Sequence, residues 1–335
     1  MVNTAVVGTG YWGKNLVRNF YNLPDANLRY CCDLKPEKLK ALASQYPGIK
    51  TTQDAQEVFS TKEIEAVIIC TPAHTHYQLA REALLQGKNL YVEKPMTLEV
   101  GQAEELVDLA EKQGLILMVG HLMMYHPGVE KLKELIKQGE LGEIYYLYSL
   151  RVNLGLIRPD ENALWSFAPH DFSIIFYLLE QEPATISARG ECYLMEEVPD
   201  VVFVNLHFPD KKMAQIQLSW LDPRKVRRMT VVGSKKMVVF DDVEPTEKIK
   251  IFDKGVDKAP QYSDYAEYLT LREGDIYIPR IELPEPLQLE CQHFLDCIKQ
   301  NRSPRSDGRN GLQIVRFLKA AQRSMEDGGV PVKLS

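Results

Sequence analysis

The sequence has no excess of positive charge. Its 40 lysines and arginines are mixed along the chain with 46 aspartates and glutamates, for a net charge of −6. That balance excludes a large basic field, and with it nucleic acid or an anionic membrane as partner. Long apolar runs are missing too: none approaches the ~20 residues of a membrane span. The opening "MVNTAVVGTGYWGKN" has neither a basic n-region nor a cleavage site, so no export is expected. Cysteine is scarce. The six lie at 31, 32, 70, 192, 291 and 297 with no C-x-x-C pair, and three fall in apolar strand-like runs, as buried reduced thiols do. A reducing cytoplasm is expected. No metal site is expected either, because His74, His76, His121 and His126 show no ligand spacing with carboxylates or cysteines. Internal repeats and low-complexity tracts are likewise absent.

What is present is a globular composition, 45% hydrophobic and 26% charged, over 335 residues, a length that favours two domains. "AVVGTGYWGKN" (5–15) places Gly8, Gly10 and Gly13 directly after a short apolar run, with Tyr11 and Trp12 between the glycines. Leu16, Val17 and Phe20 follow at helical spacing, giving strand, glycine turn and helix. A second strand, "NLRYCC" (27–32), ends at Asp33, 20 residues beyond Gly13, where dinucleotide folds carry an acid for the ribose hydroxyls. The alternation continues through "AVIIC" (66–70), a helix near 76–86, "NLYV" (89–92), a helix over 97–113 capped by Thr97 and stopped by Gly114, and "LILMVG" (115–120). Each strand is a nearly continuous apolar run, as parallel strands covered on both faces are. Residues 1–121 therefore read as a doubly wound α/β domain of Rossmann type. Its glycines let the backbone approach a pyrophosphate, which the free N–H groups near Gly13 and Lys14 can meet. Asp33 accepts a free 2′-hydroxyl and repels a 2′-phosphate, favouring NAD over NADP, with Lys35 nearby arguing the other way. A glycine turn that binds nothing is the plainer alternative.

Past 121 the alternation stops. Strand-like stretches at 143–153, 184–194, 201–208, 213–220, 228–233 and 236–241, joined by turns such as "FPDKK" and "VGSKK", predict a second α+β domain, 122–335, built on a mostly antiparallel open sheet. Residues 241–265 read as a surface excursion, and a helix over 310–327 precedes a short strand in "VPVKL". In 143–153 the period of two puts Tyr145, Leu147, Ser149, Arg151 and Asn153 on one face and Ile144, Tyr146, Tyr148, Leu150 and Val152 on the other. The first face, running on to Arg158, reads either as a cradle for a phosphate-bearing ligand or as an ordinary solvated face. In "WSFAPHDFSIIFYLL" (165–179) Pro169 suits a first helical turn, so His170 is expected at a helix N-terminus, where the dipole favours the neutral imidazole a general base needs. A structural histidine is the alternative there.

Taken together, "GTGYWGKN", "CTPAHTH" (70–76), "EKP" (93–95) and "WSFAPHD" resemble the Gfo/Idh/MocA oxidoreductases along almost the whole chain. The resemblance implies that Lys94 stands beside nicotinamide and substrate, that Lys94–Pro95 is cis, and that His170 is the base. It further implies that Glu93 sits by the nicotinamide ribose and that Thr71, Pro72 and His76 line that side. The family's Asp four residues before the histidine is Ser166 here, a departure that weakens any Asp–His relay and leaves Lys94 as the partner of His170. "GHLMMYHP", "LGEIYYLYSLRVNLGLIRPDENALWSFAPHD" and "SWLDPRKVRRMTVVGSKKMVVFDD" resemble the branch acting on nucleotide-activated sugars, such as UDP-N-acetylglucosamine 3-dehydrogenases of surface-polysaccharide synthesis. That implies NAD-linked oxidation of a secondary hydroxyl at C3, with Arg151, Asn153, Arg158 and Trp165 toward the substrate. "PRKVRR" (223–228) supplies further cations or is a solvated hairpin. Alternatives within the resemblance are an NAD-retaining glycosidase, a dehydrogenase of a free sugar or cyclitol, and a non-catalytic NAD sensor. A homodimer or homotetramer through the C-terminal sheet is implied as well.

Overall fold

Five short apolar runs at the start of the chain, covered on both faces, pair in parallel, and a short polar strand joins them at one edge. The computed structural model describes residues 1–155, 157, 161–258 and 269–334. In it β1 (Val2–Val7), α1 (Gly13–Asn22), β2 (Ala26–Cys32), α2 (Pro36–Gln45), β3 (Lys50–Thr52), α3 (Ala55–Ser60), β4 (Ala66–Ile69), α4 (Ala73–Leu85), β5 (Asn89–Glu93), α5 (Val100–Gln113) and β6 (Leu117–Gly120) alternate. The strands form one parallel sheet in the order β3-β2-β1-β4-β5-β6, the doubly wound arrangement the sequence predicts. Val67, Ile69, Leu90, Val92 and Val119 pack with Ala80, Leu84, Ala103 and Leu106 of the covering helices. Thr97 does not cap α5. The helix starts three residues later, and the Thr97 hydroxyl donates to the Glu99 carbonyl instead.

After a 3-10 turn (Leu122–Tyr125) come α6 (Pro127–Lys137), β7 (Ile144–Val152), α7 (Ala163–Leu179), β8 (Thr185–Glu191), β9 (Val201–His207), β10 (Met213–Ser219), β11 (Val226–Gly233), β12 (Met237–Asp241), β13 (Ile249–Lys258), β14 (Leu269–Tyr277), α8 (Pro286–Gln300), α9 (Gly308–Glu326) and β15 (Val332–Lys333). The second sheet runs β14-β13-β12-β11-β7-β10-β9-β8-β15. Its neighbours are antiparallel except β7 and β10, which run parallel, so it is mixed rather than a plain series of hairpins. The stretch expected to be a surface excursion contributes β13, a strand one place in from the sheet edge that pairs with β12 and β14.

The chain divides into two compact units that are discontinuous in sequence, 1–125 with 284–316 and 126–283 with 317–335. A single cut after residue 121 thus assigns α8 to the wrong unit. In the first unit, α8 turns Phe294 onto Phe20 and Tyr91, with ring centroids 6.4 and 5.8 Å apart. No helix of the described residues is long and apolar enough to cross a membrane.

Gly114 ends α5 at φ 64°, and no atom lies within 4 Å of where a Cβ would stand. Gly114→Ala is therefore expected to cost about 1 kcal/mol through the backbone alone, read as a lower urea midpoint with an unchanged m-value.

Candidate cofactor and active site

The turn between β1 and α1 is closed by backbone contact. A Cβ on Gly13 would stand 2.0 Å from the Gly8 carbonyl oxygen, and one on Gly8, at φ 93°, would stand 2.4 Å from the Cys70 carbonyl. At Gly10 a Cβ would meet only Lys38 Nζ, at 3.8 Å, so that side of the loop is open. Gly13 thus packs the helix start against the end of β1, Gly8 packs that end against the turn after β4, and Gly10 leaves backbone accessible. Tyr11 is exposed beneath the Lys14 ammonium, which lies 5.4 Å from its ring centre. Asp33, just past β2, takes the Thr9 amide and hydroxyl on Oδ2, both at 2.9 Å, and the Lys35 amide on Oδ1 at 3.0 Å. Burial pushes its carboxyl up. The Lys35 and Thr9 bonds and the Lys38 charge outweigh that and hold it below the usual range, so it is an anion.

β5 ends on Glu93, a buried carboxylate that reaches back to the glycine turn. Trp12 Nε1 donates to Glu93 Oε1 at 2.6 Å and the Lys94 amide to Oε2 at 3.2 Å. Burial pushes the carboxyl up to about 7 despite those donors and the Lys94 charge. The Lys94–Pro95 peptide is cis, as the resemblance implies. His76 is buried with Nδ1 2.8 Å from the Pro95 carbonyl and Nε2 2.9 Å from the Thr71 carbonyl, so it ties the turn after β4 to the one after β5. Thr71 shares a hydroxyl–hydroxyl bond of 2.6 Å with Thr75, and Pro72 precedes α4 in the N-cap position. Within the first unit, then, Gly8, Gly10, Tyr11, Trp12, Gly13, Asp33, Thr71, Pro72, His76, Glu93 and Lys94 all lie at the carboxyl ends of β1, β2, β4 and β5, where open α/β sheets bind ligands.

Sequence reasoning passed over three residues here. Tyr91 and Glu290 are fully buried and joined at 3.0 Å. Glu290 sits on the apolar stripe Leu287, Cys291 and Phe294 of α8, and an acid at such a position was the available signal. His121, directly after β6, is buried with no protein group among the described residues bonding either ring nitrogen. Burial, then the Lys94 charge, push its pKa down to about 3.

In the second unit the expected faces of β7 are inverted in exposure. Tyr146 is 41% exposed and Tyr148 partly so, whereas Leu147, Ser149 and Arg151 are covered by α7. Arg151 donates from Nε to Asp171 Oδ2 at 2.6 Å, and Ser149 donates to Oδ1 at 2.6 Å, all of them buried. Arg151 is thus neutralised by the chain itself, and only its Nη1 has no partner among the described residues. Arg227 of the "PRKVRR" run lies directly opposite Arg151 on β11, and burial, then the Arg151 charge, lower its pKa. The Asn153 backbone amide donates to the Ser219 carbonyl, while its Oδ1 is buried with no partner among the described residues. Trp165 donates its indole N–H to Gln322 at 2.6 Å and packs beneath Lys319. His170 is not at a helix N-terminus. α7 begins at Ala163, where Asn162 takes the Trp165 amide, so Pro169 and His170 fall inside the helix and the dipole argument for a neutral imidazole does not apply. Ser166 lies one turn before His170 on the same helix. Arg158 lies outside the described residues. Among the described residues no group of three or more His, Cys, Asp or Glu gathers as metal ligands would.

A parallel sheet whose first turn is a glycine cradle and whose second strand ends in a bonded aspartate defines a dinucleotide-binding protein. Residues 2–121 match the oxidoreductase family with an NAD-binding Rossmann fold, and residues 129–239 match the GFO/IDH/MocA C-terminal domain. The chain belongs to the Gfo/Idh/MocA oxidoreductase family. It is similar to the myo-inositol 2-dehydrogenase of Thermotoga maritima, at 24% identity over 96% of each chain. It is also similar to the 2,7-anhydro-N-acetylneuraminate hydratase of Mediterraneibacter gnavus, at 28% over 64% of this chain and 61% of that one. The UDP-N-acetylglucosamine 3-dehydrogenase of Acidithiobacillus ferrooxidans is 23% identical over 94% of each sequence. Its solved structure has the same fold, with a TM-score of 0.81 at 21% identity over 97% of this chain and 98% of that one.

Because the folded Glu93 holds its proton up to about pH 7, well above the ordinary value of 4.5, it contributes stability at low pH that is lost as pH rises through that window. Relative to wild type, Glu93→Gln is expected to gain on the order of 2 kcal/mol of unfolding free energy between pH 5 and 8, measured by urea denaturation at a series of pH values.

Proposed function

We propose that this oxidoreductase interconverts a secondary carbinol and its ketone, at C3, of a nucleotide-activated sugar, with NAD rather than NADP as cofactor. The observation that supports it most is the gathering of the glycine turn, Asp33, Glu93 and Lys94 at one edge of one sheet. Bound NAD supplies the hydride acceptor. Asp33, held as an anion, accepts the hydroxyls of the adenosine ribose and disfavours a phosphate there. Trp12 and the Lys94 amide fix the Glu93 carboxylate for the nicotinamide ribose, and His76 braces the turn carrying Lys94. Lys94 donates to the carbinol oxygen as it loses its proton. His170, on α7 of the second unit, is the general base that the family resemblance implies.

The nucleotide-sugar assignment draws on the 3-dehydrogenase relative and on the arginines of the second unit, Arg158 and Arg227 among them. Arg151 serves that unit by holding Asp171, the neighbour of His170, and through its remaining N–H. Asn153 Oδ1 is a further acceptor for the sugar, and Trp165 forms a wall fixed by Gln322. The hydratase relative favours a second reading, in which the same oxidation is transient and water addition or elimination follows with no net reduction of cofactor. Tyr146, Tyr148, Phe203 and Met213 share the open face of the second sheet with Gln215, Gln217 and Asn205, a mixed aromatic and amide surface suited to pairing two copies of the chain.

Purified protein incubated with UDP- and dTDP-linked sugars is expected to change nicotinamide absorbance, with a keto-sugar seen by mass spectrometry. Stable cofactor absorbance with release of free sugar or a hydrated product would instead establish the second reading. Lys94→Ala should lower kcat by at least about 100-fold with NAD affinity nearly intact; unchanged turnover would remove Lys94 from the chemistry. Light scattering is expected to give a dimer or tetramer, and a monomer at micromolar concentration would refute pairing through the sheet.

A further inference from the structure

Tyr91, Glu93 and Glu290 form a polar island in the core of the first unit. The Tyr91 hydroxyl lies 3.0 Å from Glu290 Oε2 and 3.4 Å from Glu93 Oε1, so one phenol bridges two carboxyl groups. Glu93 has two N–H donors, Trp12 Nε1 and the Lys94 amide, whereas Glu290 Oε1 has no partner among the described residues. β6 makes room for the bridge: a Cβ on Gly120 would stand 2.8 Å from the Tyr91 oxygen and 2.9 Å from Glu93 Oε2. The other ionisable groups around the island are Lys94, Cys70 after β4, Cys291 on α8 with Glu285 and Arg18 beyond it, and Tyr125 on the Glu290 side, with His121 beside Lys94.

Two carboxyl groups this close in dry surroundings do not both ionise near neutral pH. The single negative charge settles where N–H donors point, on Glu93, and leaves Glu290 as the acid. Burial and the Glu93 charge push Glu290 in the same direction, well above the ordinary carboxyl range. In that state the hydrogen bonds run one way, from Glu290 to the Tyr91 oxygen and from the Tyr91 hydroxyl to Glu93.

We propose that Glu290 is a positioning residue which, through Tyr91, keeps a negative charge on Glu93, and that this charge makes the protein favour the oxidised, cationic nicotinamide over the reduced, neutral one. The inference rests on the reading above that Glu93 receives the nicotinamide end of NAD. A neutral ring gains nothing from the charge, so NADH binding leaves the proton count of the pair unchanged, whereas NAD+ binding releases a proton from the pair to solution over the pH range in which Glu93 titrates.

Dissociation constants of NAD+ and NADH, measured by fluorescence and calorimetry from pH 6 to 8.5 without substrate, test it. For wild type, NAD+ is expected to strengthen relative to NADH by about threefold or more as pH rises from 6 to 8. Glu93→Gln is expected to flatten that dependence. Glu290→Leu, which breaks the chain of donors, is expected to move the transition to higher pH. Glu290→Gln keeps an N–H for the Tyr91 oxygen and is expected to track wild type. A packing role alone would weaken both cofactor forms by one factor at every pH. Should Glu290→Leu fail to fold, Tyr91→Phe cuts the same link and is expected to move the transition the same way. A wild-type ratio independent of pH, a dependence that survives Glu93→Gln, or a transition unmoved by both Glu290→Leu and Tyr91→Phe would overturn the inference while leaving NAD binding intact. Wild type that binds neither cofactor would instead overturn the placement of NAD on which it rests.

Discussion

The Gly8 carbonyl fills the space a side chain on Gly13 would need, and that contact sets the geometry of the first unit's ligand edge. With strand and helix packed so closely, the loop between them projects Thr9 onto Asp33 and Trp12 onto Glu93. One backbone contact therefore orients two carboxylates belonging to two other strands. Their environments then separate them chemically: Asp33 has enough donors to remain an anion well into the acid range, whereas Glu93 is buried deeply enough to give up its proton only on approaching pH 7.

The first unit was readable in the sequence because buried parallel strands are apolar runs and the intervening helices carry periodic stripes. "TAVV", "AVIIC" and "NLYV" all became adjacent strands of one sheet. Its site was readable to the extent that motifs sit at strand ends, where Asp33 and the cis Lys94–Pro95 peptide were anticipated. Glu290 was not, because nothing local reveals that residues 284–316 rejoin the first unit. An acid on the greasy stripe of α8 signals a buried polar contact without naming its partner. Only the fold supplies Tyr91.

The second unit was harder to read, since period-two alternation tells which residues share a face but not which face is covered. On β7 the face bearing Ser149 and Arg151 turned inward because α7 brings Asp171 to meet them, while the tyrosine face stayed open. Polarity by itself pointed the other way. In α7, Pro169 suggested a helix start, yet Asn162 caps the helix seven residues earlier and the chain tolerates the proline within it. The parallel pairing of β7 with β10 was equally hidden, because local turn signals describe only neighbours joined by a hairpin.

Arg151 and Asp171 are 3% and 1% exposed, and each is the other's charge partner. Removing either strands an ion in the interior, a penalty of roughly 3–5 kcal/mol, whereas replacing both by well-packed apolar residues can be nearly neutral. Descendants of this sequence can therefore keep both residues or lose both, but a lineage that changes one first passes through a poorly folding ancestor. Since Asp171 is the chain neighbour of His170, the proposed proton acceptor is inherited alongside a couple of positions that evolution must treat as a single character.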